Sequence, residues 1–120
     1  MATIDDSLSE LTTSLQGAMA AAVVDSNTGM VLGKIGNGID LDLAAAGNTE
    51  VVRAKLQTMK SLGLNDSLED ILITLGKQYH IIRPMERKNG VFVYLVLDKQ
   101  RSNLALARHK TADIEKQIVF

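Results

Sequence analysis

The stretch AAAVVDSNTGMVLG, from Ala20 to Gly33, places two apolar runs on either side of a short polar loop. Asp, Asn and Gly are the residue types that tight turns require. Gly29 can adopt the positive φ that a hairpin turn often needs. The stretch therefore predicts a β-hairpin, with strands in GAMAAAVVD (17–25) and MVLGKIG (30–36) joined by SNTG.

A short helix is predicted before this hairpin and a long helix after it. Thr3 is suited to cap the first helix, in which apolar residues recur at helical spacing. Those residues are Ile4, Leu8, Leu11 and Leu15. The long helix begins after Asp40 or Asp42, either of which can serve as its N-cap. It runs to about Gly63, a residue type that commonly ends helices.

Three further strands and a last helix complete the chain. SLEDILITLG (67–76) and QYHIIRPM (78–85) meet at a Gly-Lys pair that favours a tight hairpin, and GVFVYLVLD (90–98) follows the turn pair Asn89-Gly90. All seven residues from Val91 to Leu97 are apolar, so we expect this strand to be central and covered on both faces. The last helix is predicted from Arg101 to about Val119.

The predicted order of elements is αββαβββα. One five-stranded antiparallel sheet with helices on both faces accounts for this order and for the apolar central strand. The chain has 120 residues, enough to bury one core. The predicted fold class is therefore α+β, in a single domain over residues 1–120.

The long helix is apolar around an unusually wide part of its circumference. At about 100° per residue its apolar side chains cover roughly 200° or more, whereas a surface helix has a stripe of about 100° upwards. These side chains are Leu43, Ala44, Ala45, Val51, Val52, Ala54, Leu56, Met59 and Leu62. One side of the helix would pack on its own sheet. A second copy of the chain is the simplest partner for the other side.

Composition and charge argue against several classes of function. The net charge is −1 and aromatic residues are scarce, which argues against nucleic-acid binding. The absence of cysteine excludes disulfides and thiolate metal sites. No apolar run approaches the roughly 20 residues of a membrane span, and the first residues lack the pattern of a signal peptide. A cytoplasmic protein without membrane insertion is expected.

The polar loop at 25–29 resembles a calcium-binding loop in part. Asp25 and Asn27 fit the first two ligand positions of an EF-hand. However, Gly29 falls at the fifth position instead of the sixth, and Gly36 takes the place of the twelfth-position glutamate. A turn is therefore the better interpretation of this loop.

Two glycine motifs and two histidines can be considered as parts of a phosphate-binding or catalytic site, and neither kind of site is predicted from them. GKIGNG (33–38) and LGKQ (75–78) lack the spacing of phosphate-binding loops. His80 is expected on a sheet face or at an interface, and His109 on the exposed side of the last helix. Neither has an obvious Ser or Cys partner for a catalytic triad. No catalytic residue and no cofactor, nucleotide or metal site is predicted.

Charged residues are expected to have structural roles. The acidic pairs are Asp5/Asp6, Asp40/Asp42 and Glu69/Asp70, which favour helix dipoles or protect a strand edge. A small basic cluster beside a turn consists of Arg83, Arg87 and Lys88, for which solvent exposure is a simpler interpretation than an acidic partner. The last helix has a basic side formed by Arg101, Arg108, His109 and Lys110. We expect local carboxylates to hold Arg108, so it is not assigned as an arginine finger.

The arrangement of these elements resembles the roadblock/dynein-light-chain family. The matching segments are GAMAAAVVDSNTGMVLG (17–33) and VFVYLVLDKQRSNLALARHK (91–110), separated by a long Ala-rich helix. The last helix opens with NLALAR (103–108), close to the usual opening in the family. The resemblance covers nearly the whole chain and implies a profilin-like fold. A single domain of this length is most similar to prokaryotic members.

The resemblance also implies a homodimer. Members commonly pack their second helices together and pair their third strands, which here are 43–62 and 68–75. The interface expected on this basis comprises Ala44, Val51, Val52, Lys55, Met59, Leu62, Ile71, Leu72, Ile73 and Thr74. The alternative is a monomer in which the third strand is a plain sheet edge.

Family members scaffold and regulate small Ras-like GTPases or serve as accessory subunits of motor complexes. The expected function is therefore a homodimeric module that binds a small GTPase and modulates or localises it by differential binding. A motor-complex accessory subunit and a profilin- or PAS-like small-ligand sensor remain open alternatives. No constellation of residues supports an enzyme.

Overall fold

The computed structural model describes residues 3–86 and 88–120, and its elements follow the predicted order. The helices of this part are α1 (Ile4–Ser14), α2 (Leu41–Ser61) and α3 (Leu104–Gln117). The strands are β1 (Ala18–Asp25), β2 (Met30–Gly36), β3 (Ile71–Thr74), β4 (Gln78–Pro84) and β5 (Val91–Asp98). The predicted α+β class and element order are confirmed.

The strands form one antiparallel sheet in the order β2-β1-β5-β4-β3. β5 lies at the centre and pairs with both β1 and β4 along almost its whole length. Every residue from Val91 to Leu97 is buried, which confirms the predicted central strand. β2 and β3 form the two edges of the sheet.

The helices cover the two faces of the sheet unequally. α1 and α3 pack on one face, hereafter the two-helix face, and α2 alone packs on the other, hereafter the one-helix face. The buried sheet residues of the two-helix face are Ala21, Val23, Ile81, Val91, Val93, Leu95 and Leu97. Those of the one-helix face are Ala20, Ala22, Val24, Ile82, Phe92, Tyr94 and Val96. The alternation follows the two-residue period of a strand.

Each helix begins at a polar residue that caps it. Thr3, Asp40 and Asn103 each accept a hydrogen bond from the backbone N–H three residues later, at 3.2, 3.1 and 3.0 Å. These bonds satisfy donors that have no partner inside the helix. The predicted cap at Thr3 is confirmed, and of the two candidates for α2 the structure selects Asp40.

The loop between β1 and β2 is a hairpin turn, as predicted. Asp25 accepts a backbone hydrogen bond on its side chain from Asn27 N at 2.9 Å. Its carbonyl accepts from Thr28 N at 3.4 Å and from Gly29 N at 2.7 Å. Gly29 has a φ of +77°, which glycine adopts without strain. The polar residues of this loop therefore turn the chain.

β3 is shorter than predicted, four residues in place of the stretch 68–75. The register pairs Ile71 with Ile82, so continued pairing would place Glu69 opposite Pro84. Proline has no N–H to donate to a strand ladder. Residues before Ile71 therefore belong to the loop that leads from α2.

α3 begins three residues later than predicted. Asp98 holds the preceding segment in a turn, since its carboxylate accepts from Gln100 N at 3.1 Å and its carbonyl from Arg101 N at 3.3 Å. The helix can begin after Asn103, where the cap is available.

Candidate functional site

A groove lies between α2 and the edge strand β3, on the one-helix face. It has a volume of about 650 Å³ and is hereafter the α2–β3 groove. Its lining residues are Val51, Ala54, Lys55 and Thr58 from α2, Leu68 and Asp70 from the loop, and Ile71 from β3. This lining is mainly apolar, as in the centre of a protein–protein contact.

Exposed apolar side chains occur on α2 and directly after it. Val51, which lines the groove, is 38% exposed, and Leu43 near the start of α2 and Leu62 at its C-cap are exposed over more than half of their surface. Meanwhile Leu41, Ala45 and other residues on the opposite side of the helix are buried against the sheet. The prediction that apolar residues extend beyond the sheet-facing side of this helix is confirmed.

Two residues of the predicted interface are buried within the chain itself, and the interface stays a prediction. Val52 is 2% exposed and packs in the core of the one-helix face, and Met59 is also buried. Successive residues of a helix point about 100° apart, so Val51 lines the groove while Val52 lies in the core. Of the other predicted α2 residues, Ala44 is half-buried and Lys55 is exposed.

β3 forms the outer border of the groove. One of its edges pairs with β4 over all four residues, and no described strand lies along the other. Ile71 and Ile73 are half-buried towards α2, whereas Leu72 and Thr74 are exposed. An edge strand presents unpaired backbone N–H and C=O groups that another strand can use.

An ion pair lies at the start of β3. Arg108 of α3 donates from Nε and Nη2 to the two carboxylate oxygens of Asp70, at 2.9 and 2.8 Å. Arg108 is held by a carboxylate, as expected, but the partner is the distant Asp70 and not a local residue. Sequence reasoning assigns Asp70 to edge protection and misses the pair, because 38 residues separate the partners.

His80 lies on the one-helix face in a small polar cluster. Its Nδ1 is 3.0 Å from the Tyr94 hydroxyl and its Nε2 is 2.9 Å from Gln78 Oε1. The tautomer with its proton on Nε2 satisfies both contacts. Burial lowers the pKa of His80 and raises the pKa of Tyr94, the latter opposed by a hydrogen bond with Asn48. The cluster therefore favours neutral His80 and neutral Tyr94.

The basic side of α3 is largely matched by carboxylates. Lys110 Nζ lies 3.0 Å from Glu10 Oε2, and His109, which is exposed as predicted, lies 3.4 Å from Asp113. Together with the Arg108 pair, these contacts limit the positive charge that α3 can offer an acidic partner.

The predicted basic cluster near the β4–β5 turn is divided. Arg83 Nε lies 3.4 Å from Oε1 of Glu115, and both side chains are mostly buried. Lys88 is exposed and lies over the ring of Phe120. Arg87, the third predicted member, is outside the described residues. Arg83 therefore belongs to the core and not to an exposed cluster.

A second cleft of about 690 Å³ lies at the end of the sheet, between α2, the loop after it and two of the hairpin loops. Leu56 contributes exposed apolar surface, and Arg53, Asp66 and Glu86 contribute charge. Sequence reasoning missed this cleft because its lining comes from the β1–β2 loop, the β4–β5 loop, α2 and the loop after it. Its volume is sufficient for a small ligand.

The described residues offer little for metal chemistry or membrane insertion. Over 3–86 and 88–120, no three His, Asp or Glu side chains are grouped so that they could hold a metal ion. Within the same ranges, no helix combines the length and apolar character needed to cross a membrane.

No protein-family profile and no curated protein matches the sequence. Solved structures do match. A Roadblock/LC7 domain from Streptomyces avermitilis has a TM-score of 0.83 at 15% identity, over 96% of this chain and 93% of that one. MglB from Myxococcus xanthus has a TM-score of 0.75 at 17% identity, over 94% and 85%. An MglB structure with a tetrameric arrangement has a TM-score of 0.79 at 18% identity, over 92% and 80%. These likenesses establish a shared fold.

Proposed function

We propose that this chain, which has the Roadblock/LC7 fold, forms a homodimer that binds a small Ras-like GTPase and regulates or localises it. The observation that supports the dimer is the α2–β3 groove, an apolar surface that ends at an unpaired strand edge. A second copy of the chain would match this surface, because it would bring an apolar helix surface and an edge strand of its own.

The proposed contact is symmetric. A two-fold axis would place α2 against α2 of the partner and β3 antiparallel to the partner's β3, because the same patch then serves both copies. The five strands of each copy would join in one continuous sheet. From the predicted set, the proposal retains Ala44, Val51 and Lys55 of α2, Leu62 at its C-cap and all four residues of β3. It leaves out the buried Val52 and Met59.

The GTPase partner is inferred from the resemblance of the sequence to roadblock proteins and from the shared fold. The dimer would bind one nucleotide-dependent shape of the switch loops more tightly and so shift the population of the GTPase. This mechanism requires no nucleotide site or catalytic residue on the dimer itself. A cytoplasmic location is part of the same proposal.

Light scattering on the wild type and Val51→Glu tests the dimer. We expect twice the 13.0 kDa chain mass for the wild type and a folded monomer for Val51→Glu, because the new carboxylate would be buried in the contact. Val119→Glu is the matched control, since Val119 is 41% exposed and Val51 is 38% exposed. A monomeric wild type, or equal effects of both substitutions, would contradict the proposed surface.

Binding to purified small GTPases from the same organism tests the partner. Each GTPase is loaded with GDP or with a GTP analogue and titrated with the intact dimer. We expect one nucleotide form to bind more tightly, with Val51→Glu weakening that binding. Equal binding of both forms and an unchanged hydrolysis rate would reduce the role to scaffolding, which includes that of a motor-complex subunit.

The second cleft favours one alternative, a small-ligand sensor. Its volume lies within the range of about 300–1,000 Å³ typical of ligand sites. Native mass spectrometry of the purified protein tests this function. A stoichiometric bound small molecule that is lost on Leu56→Glu, a change at a half-exposed residue of the cleft, would favour the sensor over the GTPase regulator.

A further inference from the structure

We propose that the Asp70–Arg108 ion pair positions β3 for pairing with a second copy and thereby sets the strength of the contact between copies, an inference that rests on the proposed dimer. The pair connects the edge strand β3 to the helix α3, which packs on the two-helix face. Asp70 directly precedes β3, and Arg108 projects from α3 on the two-helix face.

The geometry of the pair is that of a rigid connection. Two parallel N–H···O bonds of 2.9 and 2.8 Å join the guanidinium to both carboxylate oxygens. Such a bidentate pair fixes orientation as well as distance. The Asp70 side chain is 11% exposed, so the carboxylate has lost most of its contact with water.

β3 is an edge strand that needs such a connection. It has four residues, it follows a loop of largely exposed residues from 62 to 70, and it pairs with one neighbouring strand. The ion pair fixes the start of the strand from the side of α3. Strand pairing with a second copy depends on the position of this backbone, because a one-residue slip would turn every side chain to the opposite face.

The charge of the pair also bears on the contact itself. Asp70 lines the α2–β3 groove together with Val51 and Ile71. A second copy over the groove would remove further water from the carboxylate. With Arg108 in place the charge is balanced, whereas without it an unpaired carboxylate would be buried in the contact at a large cost.

The Lys34–Asp42 pair, beside the opposite edge strand β2, provides a matched control. Its N···O distance is 2.8 Å, similar to that of the Asp70 pair, but its side chains are 51% and 67% exposed. An ion pair so open to water contributes little. Asp42→Asn therefore removes a carboxylate from an ion pair far from β3.

The experiment measures the dimer dissociation constant by sedimentation for the wild type, Arg108→Gln, Asp70→Asn and Asp42→Asn. We expect Arg108→Gln to weaken the dimer about tenfold or more. Asp70→Asn should weaken it less, because it leaves no buried charge, and Asp42→Asn should have no effect. The exchanged pair Asp70→Arg with Arg108→Asp should recover part of the loss.

Amide hydrogen exchange separates positioning from a general loss of stability. The experiment uses Val51→Glu as the parent protein, because this variant is expected to be a monomer. In it, Arg108→Gln should speed amide exchange at residues 71–74 and leave the exchange rates of β5 unchanged. Should Arg108→Gln fail to fold, Arg108→Lys takes its place, since lysine keeps the positive charge but cannot form the two parallel hydrogen bonds of the guanidinium.

The outcomes distinguish the two proposals. A dimeric wild type whose dissociation constant is the same in Arg108→Gln would overturn the positioning role alone. Equal losses for Asp70→Asn and Asp42→Asn would overturn it as well, because they would indicate a general charge effect. A monomeric wild type would overturn the proposed dimer and with it the pairing role.

Discussion

The two-helix face and the one-helix face of the sheet differ in how much of them is covered. Five strands about 4.8 Å apart span roughly 20 Å, and a helix is about 10 Å wide. Two helices side by side therefore cover one face, while α2 alone leaves part of the other face open. The α2–β3 groove and the second cleft lie in the part that α2 leaves open. We therefore expect stability to depend chiefly on the two-helix face, whereas the proposed contact uses the other.

The largest expected difference between the faces comes from leucine truncation in their helices. Leu11 of α1 is fully buried, whereas Leu56 of α2 is about half exposed beside the second cleft. We expect Leu11→Ala to lower the free energy of unfolding by about 3 kcal/mol and Leu56→Ala by about 1 kcal/mol or less. Urea unfolding in the Val51→Glu background provides the measurement. Equal losses of unfolding free energy would mean that helix coverage does not determine how much each face contributes to stability.

The ion pairs on the two faces should also differ in their contribution to the free energy of unfolding. The pair with the longer N···O distance should contribute more, because it is buried. Arg83 and Glu115, on the two-helix face, are 3.4 Å apart and mostly buried, whereas Lys34 and Asp42, on the one-helix face, are 2.8 Å apart and exposed. We expect Arg83→Met to cost roughly 2–3 kcal/mol, because the buried Glu115 carboxylate loses its contact with the Arg83 guanidinium. Lys34→Met should cost about 0.5 kcal/mol or less.

Thermal unfolding of both methionine variants, again in the Val51→Glu background, tests this ordering. Methionine preserves most of the aliphatic side chain, so the comparison isolates the charge. A larger loss for Lys34→Met than for Arg83→Met would show that distance outweighs burial in this protein.

The sequence was sufficient for the features that depend on local pattern. Seven consecutive apolar residues predicted the buried centre at β5, Thr3 predicted the first cap, and Gly29 predicted the hairpin. The wide apolar arc predicted that α2 has more apolar surface than one sheet face can cover. Each of these signals is contained within a few neighbouring residues or one helix.

The features that the sequence did not reveal depend on contacts between distant segments. A helical wheel shows the width of the apolar arc but not its centre, so Val52 and Val51 could not be assigned to core and groove. The length of β3 depends on its register with Pro84 of a different strand. The Asp70–Arg108 pair, central to the candidate site, joins residues 38 positions apart.

The smallest expected effect is a pH dependence at His80, on the one-helix face. Burial lowers the pKa of His80 in the folded protein, so the unfolded chain, with a pKa of about 6.5, binds the proton more readily. Stability should therefore decrease as the pH falls below about 6.5 and recover as it rises above that value. The loss should be shallow, because His80 keeps part of its contact with water.

Urea unfolding at pH 7.5 and 5.5, at one protein concentration, measures this effect as a difference between variants. His80→Gln should lose less stability than the wild type between the two pH values, while His109→Gln, at an exposed position, should lose as much as the wild type. The other titratable groups are common to these proteins, so the difference between a variant and the wild type reports the replaced histidine. If His80→Gln behaves like the wild type, the polar cluster with Tyr94 and Gln78 does not favour the neutral ring.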